Sequence, residues 1–99
     1  MEQQLTLAGF RPLVNQKFTV TDPHYGKQEL LLISAEERSG GQLETFSLIF
    51  TGSPEKLLPQ SMHSFSHPHL GEAQIFITPV QGSNSERILY QAVFNRMSV

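Results

Sequence analysis

Alternation of apolar and polar residues runs through most of the chain with the period of two that marks a half-buried β-strand. The pattern predicts strands over residues 17–21, 43–51, 61–66, 72–80 and 87–95. A further stretch, residues 28–37, is apolar on both faces at its centre, from Leu30 to Ile33. A strand of that kind is covered on both sides, here by a helix or by a partner.

The N-terminal segment has helical rather than strand spacing. Thr6 is a candidate N-cap for a helix over residues 5–14. Apolar residues follow at helical spacing, namely Leu7, Phe10, Leu13 and Val14. Pro12 lies inside this stretch, and because proline disrupts a helix interior we expect a break near Arg11. The apolar face of the helix is expected to cover one open end of the sheet.

Turn residues separate the predicted strands at short intervals. The turns fall at residues 22–26, 39–41, 52–54 and 67–71, with a polar loop over 81–86. Leu57 and Leu58 are expected to tuck against the core, and Pro79 indicates a strand edge or a bulge. Successive strands with tight connections pair antiparallel. The chain is therefore predicted to be one all-β, mainly antiparallel domain over residues 1–99, as a six-stranded barrel or a tight sandwich with one short N-terminal helix.

Composition and charge narrow the function classes. The chain has no cysteine, so disulfides and thiolate zinc sites are excluded. The first ten residues lack the basic segment and apolar run of a signal peptide, and no stretch approaches the ~20 apolar residues of a membrane span. Its seven Lys and Arg are dispersed along the sequence, which argues against nucleic acid as a partner. Its net charge of only −2 gives little electrostatic repulsion between copies, so self-association is easy. We expect a cytoplasmic protein with no membrane contact.

Histidines form the sharpest chemical feature of the sequence. His63, His67 and His69 lie within seven residues, and imidazole nitrogens are good ligands for zinc, nickel or copper. His63 and His67 project from the same face if the strand is regular. The alternative, which we favour, is a structural turn in which His67 hydrogen-bonds the backbone. No cofactor is expected.

A hydrolytic site could be drawn from Ser64 or Ser66 with His67 and an acid, Asp22 or Glu72. Nucleophile and base must lie within hydrogen-bond reach, and the Gly-x-Ser-x-Gly elbow of one large hydrolase class is absent from the sequence. We therefore predict a protein that is not an enzyme.

Leu31, Ile33 and Ile49 are the best candidates for an interface, because together they exceed what one small core needs. Packing of the N-terminal helix over them is the ordinary solution. The alternative is contact with a protein partner or with a second copy, through a sheet face or a strand edge.

Several short motifs follow one another along the chain. They are Thr6, Phe10, Leu13 and Phe18; Phe46, Leu48, Phe50 and Gly52; Leu58 and Gln60; His67, Pro68, Leu70 and Gly71; Phe76, Pro79 and Val80; and Tyr90, Ala92, Val93, Phe94 and Asn95. In this order, with Phe18 one place later than in the family's pattern, they resemble DUF6916, a family of small bacterial proteins described only as a domain of unknown function. The family has Gly and Tyr near Ser61 and His63, so His63 is a poor candidate for a shared function.

The resemblance implies a structural or assembly role, because genes of this family often lie near genes for phage-tail-like fibre or collar proteins. It brings no catalytic residues. Our prediction is a non-enzymatic structural or protein-interaction module, accessory to such an assembly. The alternative prediction is a barrel that binds a metal or small ligand through His63, His67 and His69.

Overall fold

In the part of the chain that the structure describes, six antiparallel strands close into a barrel. The computed structural model describes residues 7–23, 26–38, 43–80 and 86–97. The strands are β1 (Lys17–Asp22), β2 (Gly26–Arg38), β3 (Leu43–Gly52), β4 (Ser61–His67), β5 (Gly71–Val80) and β6 (Ile88–Met97). They are ordered β1-β2-β3-β6-β5-β4, and β1 pairs with β4 to complete the circle. Of the two predicted architectures, the barrel is confirmed.

Before the first strand lie one helical turn, α1 (Leu7–Phe10), and a 3₁₀ turn, Arg11–Leu13. The change of helix type at Arg11 confirms the predicted break, which Pro12 causes. The predicted cap at Thr6 and the turns over residues 39–41 and 81–85 lie outside the described residues, as do residues 24 and 25 of the turn predicted over 22–26. No helix in the described part of the chain is long and apolar enough to cross a membrane.

Inward-facing residues of every strand fill the barrel, as the alternating pattern predicts. The largest fully buried side chains are aromatic: Phe10, Phe18, Phe46, Phe50, Phe65 and Tyr90. Phe50 is central, with its ring centroid 5.5 Å from that of Phe18 and 5.1 Å from that of Phe65. A barrel of this size has an interior that side chains fill, so the fold encloses a core rather than a channel.

The N-terminal helix plugs one end of the barrel. Its Phe10 ring lies 6.4, 6.1 and 5.7 Å from the rings of Phe18, Phe46 and Phe94. Leu7 and Leu13 are buried beside it. A helix of a single turn has no stability of its own, so these contacts hold it in place.

The loop between β3 and β4 closes the opposite end. Leu58 is fully buried there, and its backbone N–H donates a hydrogen bond of 2.9 Å to the Tyr90 hydroxyl. Leu57 is 49% exposed, so the expectation that both leucines tuck inward was wrong for Leu57. The Leu58–Tyr90 hydrogen bond fixes which leucine enters the core, and its neighbour faces solvent.

Strands β5 and β6 are paired over only part of their length. In the described residues their ladder consists of Thr78–Gln91, Pro79–Tyr90 and Val80–Leu89. At Pro79, β5 pairs with β6 but not with β4, because the β4–β5 ladder ends at Ile77. This position agrees with the strand edge that the proline predicts. Toward the plugged end, Gly71–Ile77 pairs with β4 alone and residues 92–97 with β3 alone.

Candidate functional site

A row of exposed apolar side chains crosses the outer wall of three strands. Met62, Phe76 and Val93 are 57%, 47% and 49% exposed. Met62 and Phe76 are register partners on β4 and β5. Counting on from the Thr78–Gln91 pair brings Phe76 level with Val93 across the unpaired part of β5 and β6. The three side chains therefore lie at one level of the outer wall, with Val93 across the unpaired seam from Phe76.

The residues predicted for an interface lie beside this row. Leu31, Ile33 and Ile49 are half-buried. The register of β2 against β3 shifts between Leu32 and Ser34, so that Ile33 lies in a bulge next to Ser34, the partner of Ile49. Buried residues alternate with Ile49 along β3, so its side chain faces outward.

Predicted and exposed residues join through β3 and β6. Ile49 pairs with Gln91, so Val93 is its diagonal neighbour two residues along β6. Diagonal neighbours of this kind are within reach of long side chains. We call the resulting surface the apolar band, which consists of Ile33, Ile49, Val93, Phe76 and Met62 and has Leu31 at its margin. It runs obliquely from β2 to β4 around the outside of the barrel.

Sequence reasoning found half of this band and missed the rest. The missed residues are Met62, Phe76 and Val93, and Phe76 carried a usable signal. It stands between Ile75 and Ile77, so β5 is apolar on both faces there, just as β2 is around Leu31. The ring of Phe10 in the helix contacts residues inside the barrel rather than on these outer faces.

His63 holds the closing loop against the barrel. Its Nε2 donates a hydrogen bond of 3.0 Å to the Pro59 carbonyl, and its Nδ1 lies 3.6 Å from a carboxylate oxygen of Asp22. The side chains of His63 and Asp22 are 3% and 4% exposed. Because Pro59 follows Leu58 directly, this contact secures the loop that closes the barrel.

His67 performs a similar task at the plugged end. Its Nδ1 accepts a 3.0 Å hydrogen bond from the backbone N–H of His69, so the ring proton is on Nε2, which donates to Gln16 Oε1 at 2.7 Å. Burial lowers the pKa of His67 below 6.5, and the adjacent His69 lowers this pKa further. A neutral imidazole thus joins the β4–β5 turn to the segment that precedes β1, as the structural interpretation of His67 predicts.

The three predicted metal ligands are not brought together. His63 and His67 are four residues apart on β4, which separates their Cα atoms by roughly 13 Å, and they serve opposite ends of the barrel. Only His67 and His69 are neighbours, with ring centroids 5.6 Å apart. Within the described ranges, no group of three or more histidines and carboxylates is placed to hold a metal ion. Metal binding stays a prediction without a built site.

The structure does not place either serine of the hydrolytic candidates beside His67. Residues 63, 65 and 67 are the buried positions of β4, so Ser64 and Ser66 are on the opposite face of the strand from His67. The Ser64 hydroxyl accepts a 2.6 Å hydrogen bond from Gln74 Nε2. Asp22 lies against His63 at the other end of the barrel. Neither serine is therefore placed to form a nucleophile–base pair with His67, although Ser66 and Glu72 are register partners on β4 and β5.

Fold and surface together define a class: a small antiparallel β-barrel that its own chain closes at both ends, with an apolar band on its outer wall. Within this class, the chain belongs to the family DUF6916, a domain of unknown function, whose model matches residues 5–94. No curated protein and no solved structure matches the chain.

Proposed function

We propose that this barrel is a non-enzymatic interaction module that self-associates, with the apolar band of one copy packed on the same band of a second. The observation that carries the proposal is the row of Met62, Phe76 and Val93, each about half exposed and each on the outer wall. Contiguous exposed apolar residues on a soluble fold mark contact surfaces, whereas scattered ones need no explanation.

The chemistry of the band suits a protein contact. Phe and Met are enriched in the cores of protein interfaces, and Phe76 stands at the centre of the exposed row. Phe76 and Val93 also belong to the motifs through which the chain resembles its family, although the barrel core does not bury either. Core packing therefore does not account for them.

The low net charge of the chain favours a second copy of the same protein as the partner of the apolar band. The chain carries a net charge of only −2, so two copies repel each other weakly. A partner selected by charge would instead need a surface of one sign, and the band itself contains no charged residue. Two bands that meet about a twofold axis form the self-complementary contact typical of homodimers.

Strand edges beside the band add to this surface. Among the described residues, Gly71–Ile77 lacks a ladder partner on the β6 side, and residues 92–94 lack one on the β5 side. Unpaired edges are the part of a sheet that most readily pairs with another chain. Phe76 and Val93 stand on these two edges, so apolar contact and backbone pairing can act at the same place.

The non-enzymatic part of the proposal is supported by the hydrogen bonds of the histidines. Both nitrogens of His67 are used within the fold, and His63 is held by Pro59 and Asp22. A cytoplasmic location and an accessory role in a phage-tail-like fibre or collar belong to the same proposal, and their support is the sequence and the family resemblance alone.

Sedimentation velocity from micromolar to near-millimolar concentration tests the proposal. We expect the wild type to form dimers or larger oligomers, and the double variant Phe76→Ser/Val93→Ser to sediment as a monomer with an unchanged circular dichroism spectrum. Leu57→Ser is the matched control, because Leu57 is as exposed as Val93 but lies on the closing loop. A wild type that stays monomeric throughout, or an equal effect of the control, would contradict self-association through the band.

A further inference from the structure

Met62 is the chemically distinctive member of the apolar band. The chain has no cysteine, so its three methionines, Met1, Met62 and Met97, contain all of its sulfur. Met62 is 57% exposed, more than any other large apolar side chain in the described part of the chain. Oxidants readily convert exposed methionine to its sulfoxide. Met62 therefore puts an oxidisable group on the surface proposed for self-association.

The cross-strand neighbour of Met62 is the aromatic residue of the band. Met62 pairs with Phe76 in the register of β4 and β5, and both side chains are exposed on the outer wall. Residues directly opposite each other have Cβ atoms about 4.5–5.5 Å apart, which brings the thioether within reach of the ring. Phe76 is at the centre of the exposed row, so a chemical change at Met62 acts where two copies meet.

The core of the barrel does not depend on Met62. The inward positions of β4 are His63, Phe65 and His67, and no methionine is among the buried core residues that the structure describes. A sulfoxide oxygen at position 62 is therefore hydrated in a single copy and disturbs no packing inside the barrel. In a contact between two copies the same oxygen is buried among apolar groups, which is unfavourable for an unpaired polar group.

We propose that Met62 is a site of reversible oxidation that dissociates the self-associated form, an inference that rests on the proposed function of the apolar band. The oxidant is a hydroperoxide: the sulfur lone pair attacks one peroxide oxygen, the O–O bond breaks, and water or an alcohol leaves. Sulfur loses two electrons and the peroxide gains two. Methionine sulfoxide reductases reverse the step, as thiols supply two electrons and the sulfoxide oxygen leaves as water.

Sedimentation velocity before and after treatment with hydrogen peroxide at low micromolar protein concentration tests this switch, with peptide mass spectrometry to locate the sulfoxide. We expect oxidation of Met62 to raise the dissociation constant of the wild type about tenfold or more, because each copy then buries a sulfoxide oxygen. The circular dichroism spectrum should not change. Treatment with the two reductases, one for each sulfoxide epimer, should restore self-association.

Met62→Leu is the matched control, because leucine keeps the apolar bulk and removes the sulfur. This variant should self-associate like the wild type and should not respond to peroxide, although Met1 and Met97 remain. An oxidised wild type that self-associates as before, a Met62 that peroxide leaves unoxidised, or an equal response of Met62→Leu would overturn the switch and leave the proposed function standing. A wild type that is monomeric before treatment would contradict both.

The rate of sulfoxide formation at Met62 provides a second measurement. Contact between two bands covers the thioether, so the rate should fall as the protein concentration rises from micromolar to near-millimolar. In Phe76→Ser/Val93→Ser, which is expected to stay monomeric, the rate should not depend on protein concentration. A concentration-independent rate in a wild type that does self-associate would show that the contact leaves Met62 uncovered, against the switch.

Discussion

At the scale of single residues, the buried histidines hold the chain together rather than offering free nitrogens. His67 donates to Gln16 and accepts from the backbone of His69, so its neutral ring is fully used. His63 contacts Pro59 and Asp22 at the other end. His63 and His67 are close in sequence because β4 runs from one end of the barrel to the other. At one end His63 contacts the closing loop, and at the other end His67 contacts the segment before β1.

The neutral state of His67 predicts a loss of stability in mild acid. Its pKa is lowered in the fold, so below about pH 6.5 the unfolded chain takes up a proton that the native protein does not. The free energy of unfolding should fall as the pH drops through this range, by at most about 1.4 kcal/mol per pH unit from this residue. Above pH 7.5 the residue contributes no pH dependence.

Urea unfolding of the wild type and of His67→Gln between pH 5 and 8 measures this contribution. Other titrating groups act similarly in both proteins, so the difference in free energy of unfolding isolates His67. We expect the advantage of the wild type to shrink as the pH falls below 6.5. An advantage that stays constant or grows toward low pH contradicts a neutral, buried His67.

At the scale of elements, two short segments with no stability of their own close the barrel. The helix α1 has four residues, and the loop after β3 contains no helix or strand. Each enters the core through one dominant side chain, Phe10 at the first end and Leu58 at the second. Burial of such side chains offsets the conformational entropy that ordering the segment costs.

The adjacent leucines of the loop provide a matched test of this account. Leu58→Ala removes a fully buried side chain and should lower the free energy of unfolding by about 2–5 kcal/mol. Leu57→Ala removes a half-exposed one and should change it by less than about 0.5 kcal/mol. Equilibrium urea denaturation of both variants gives the two values, and similar losses in both would contradict the assignment of Leu58 alone to the core.

At the scale of the whole molecule, the same wall that encloses the core carries the proposed contact surface. Pairing of β1 with β4 and of β3 with β6 joins segments far apart in sequence, and closure hides most strand edges. One of the edges left unpaired in the described residues is the seam between β5 and β6 toward the plugged end. There the two strands share no ladder pair, and Phe76 and Val93 stand on the two sides of the seam.

Self-association predicts that thermal stability depends on protein concentration. Oligomers form from native chains only, so mass action should raise the melting temperature as the concentration increases. Phe76→Ser/Val93→Ser should melt at one temperature throughout, whereas Leu57→Ser should follow the wild type. Differential scanning fluorimetry over a dilution series suffices, and a wild-type melting temperature independent of concentration contradicts the proposal.

The sequence by itself determined which segments are strands, where the helix breaks and that side chains alternate between two faces along the strands. These features depend on residues close together in sequence. The ring of Pro12 disrupts the helix within one turn, and the alternation of Phe46, Leu48 and Phe50 with their neighbours defines a strand over a few residues. It also indicated that Leu31, Ile33 and Ile49 exceed the needs of the core, since β2 is apolar on both faces.

Tertiary structure alone decided the choice of barrel over sandwich, the pairing of β3 with β6, and the entry of Leu58 rather than Leu57. It also placed Phe76 level with Val93 and, among the described residues, left the Gln28 Nε2 atom without a hydrogen-bond partner. Each of these outcomes depends on residues distant in sequence meeting in space, for example Leu58 with Tyr90. Local pattern contains no information about such meetings, because loop closure and strand register are settled only when the whole wall assembles.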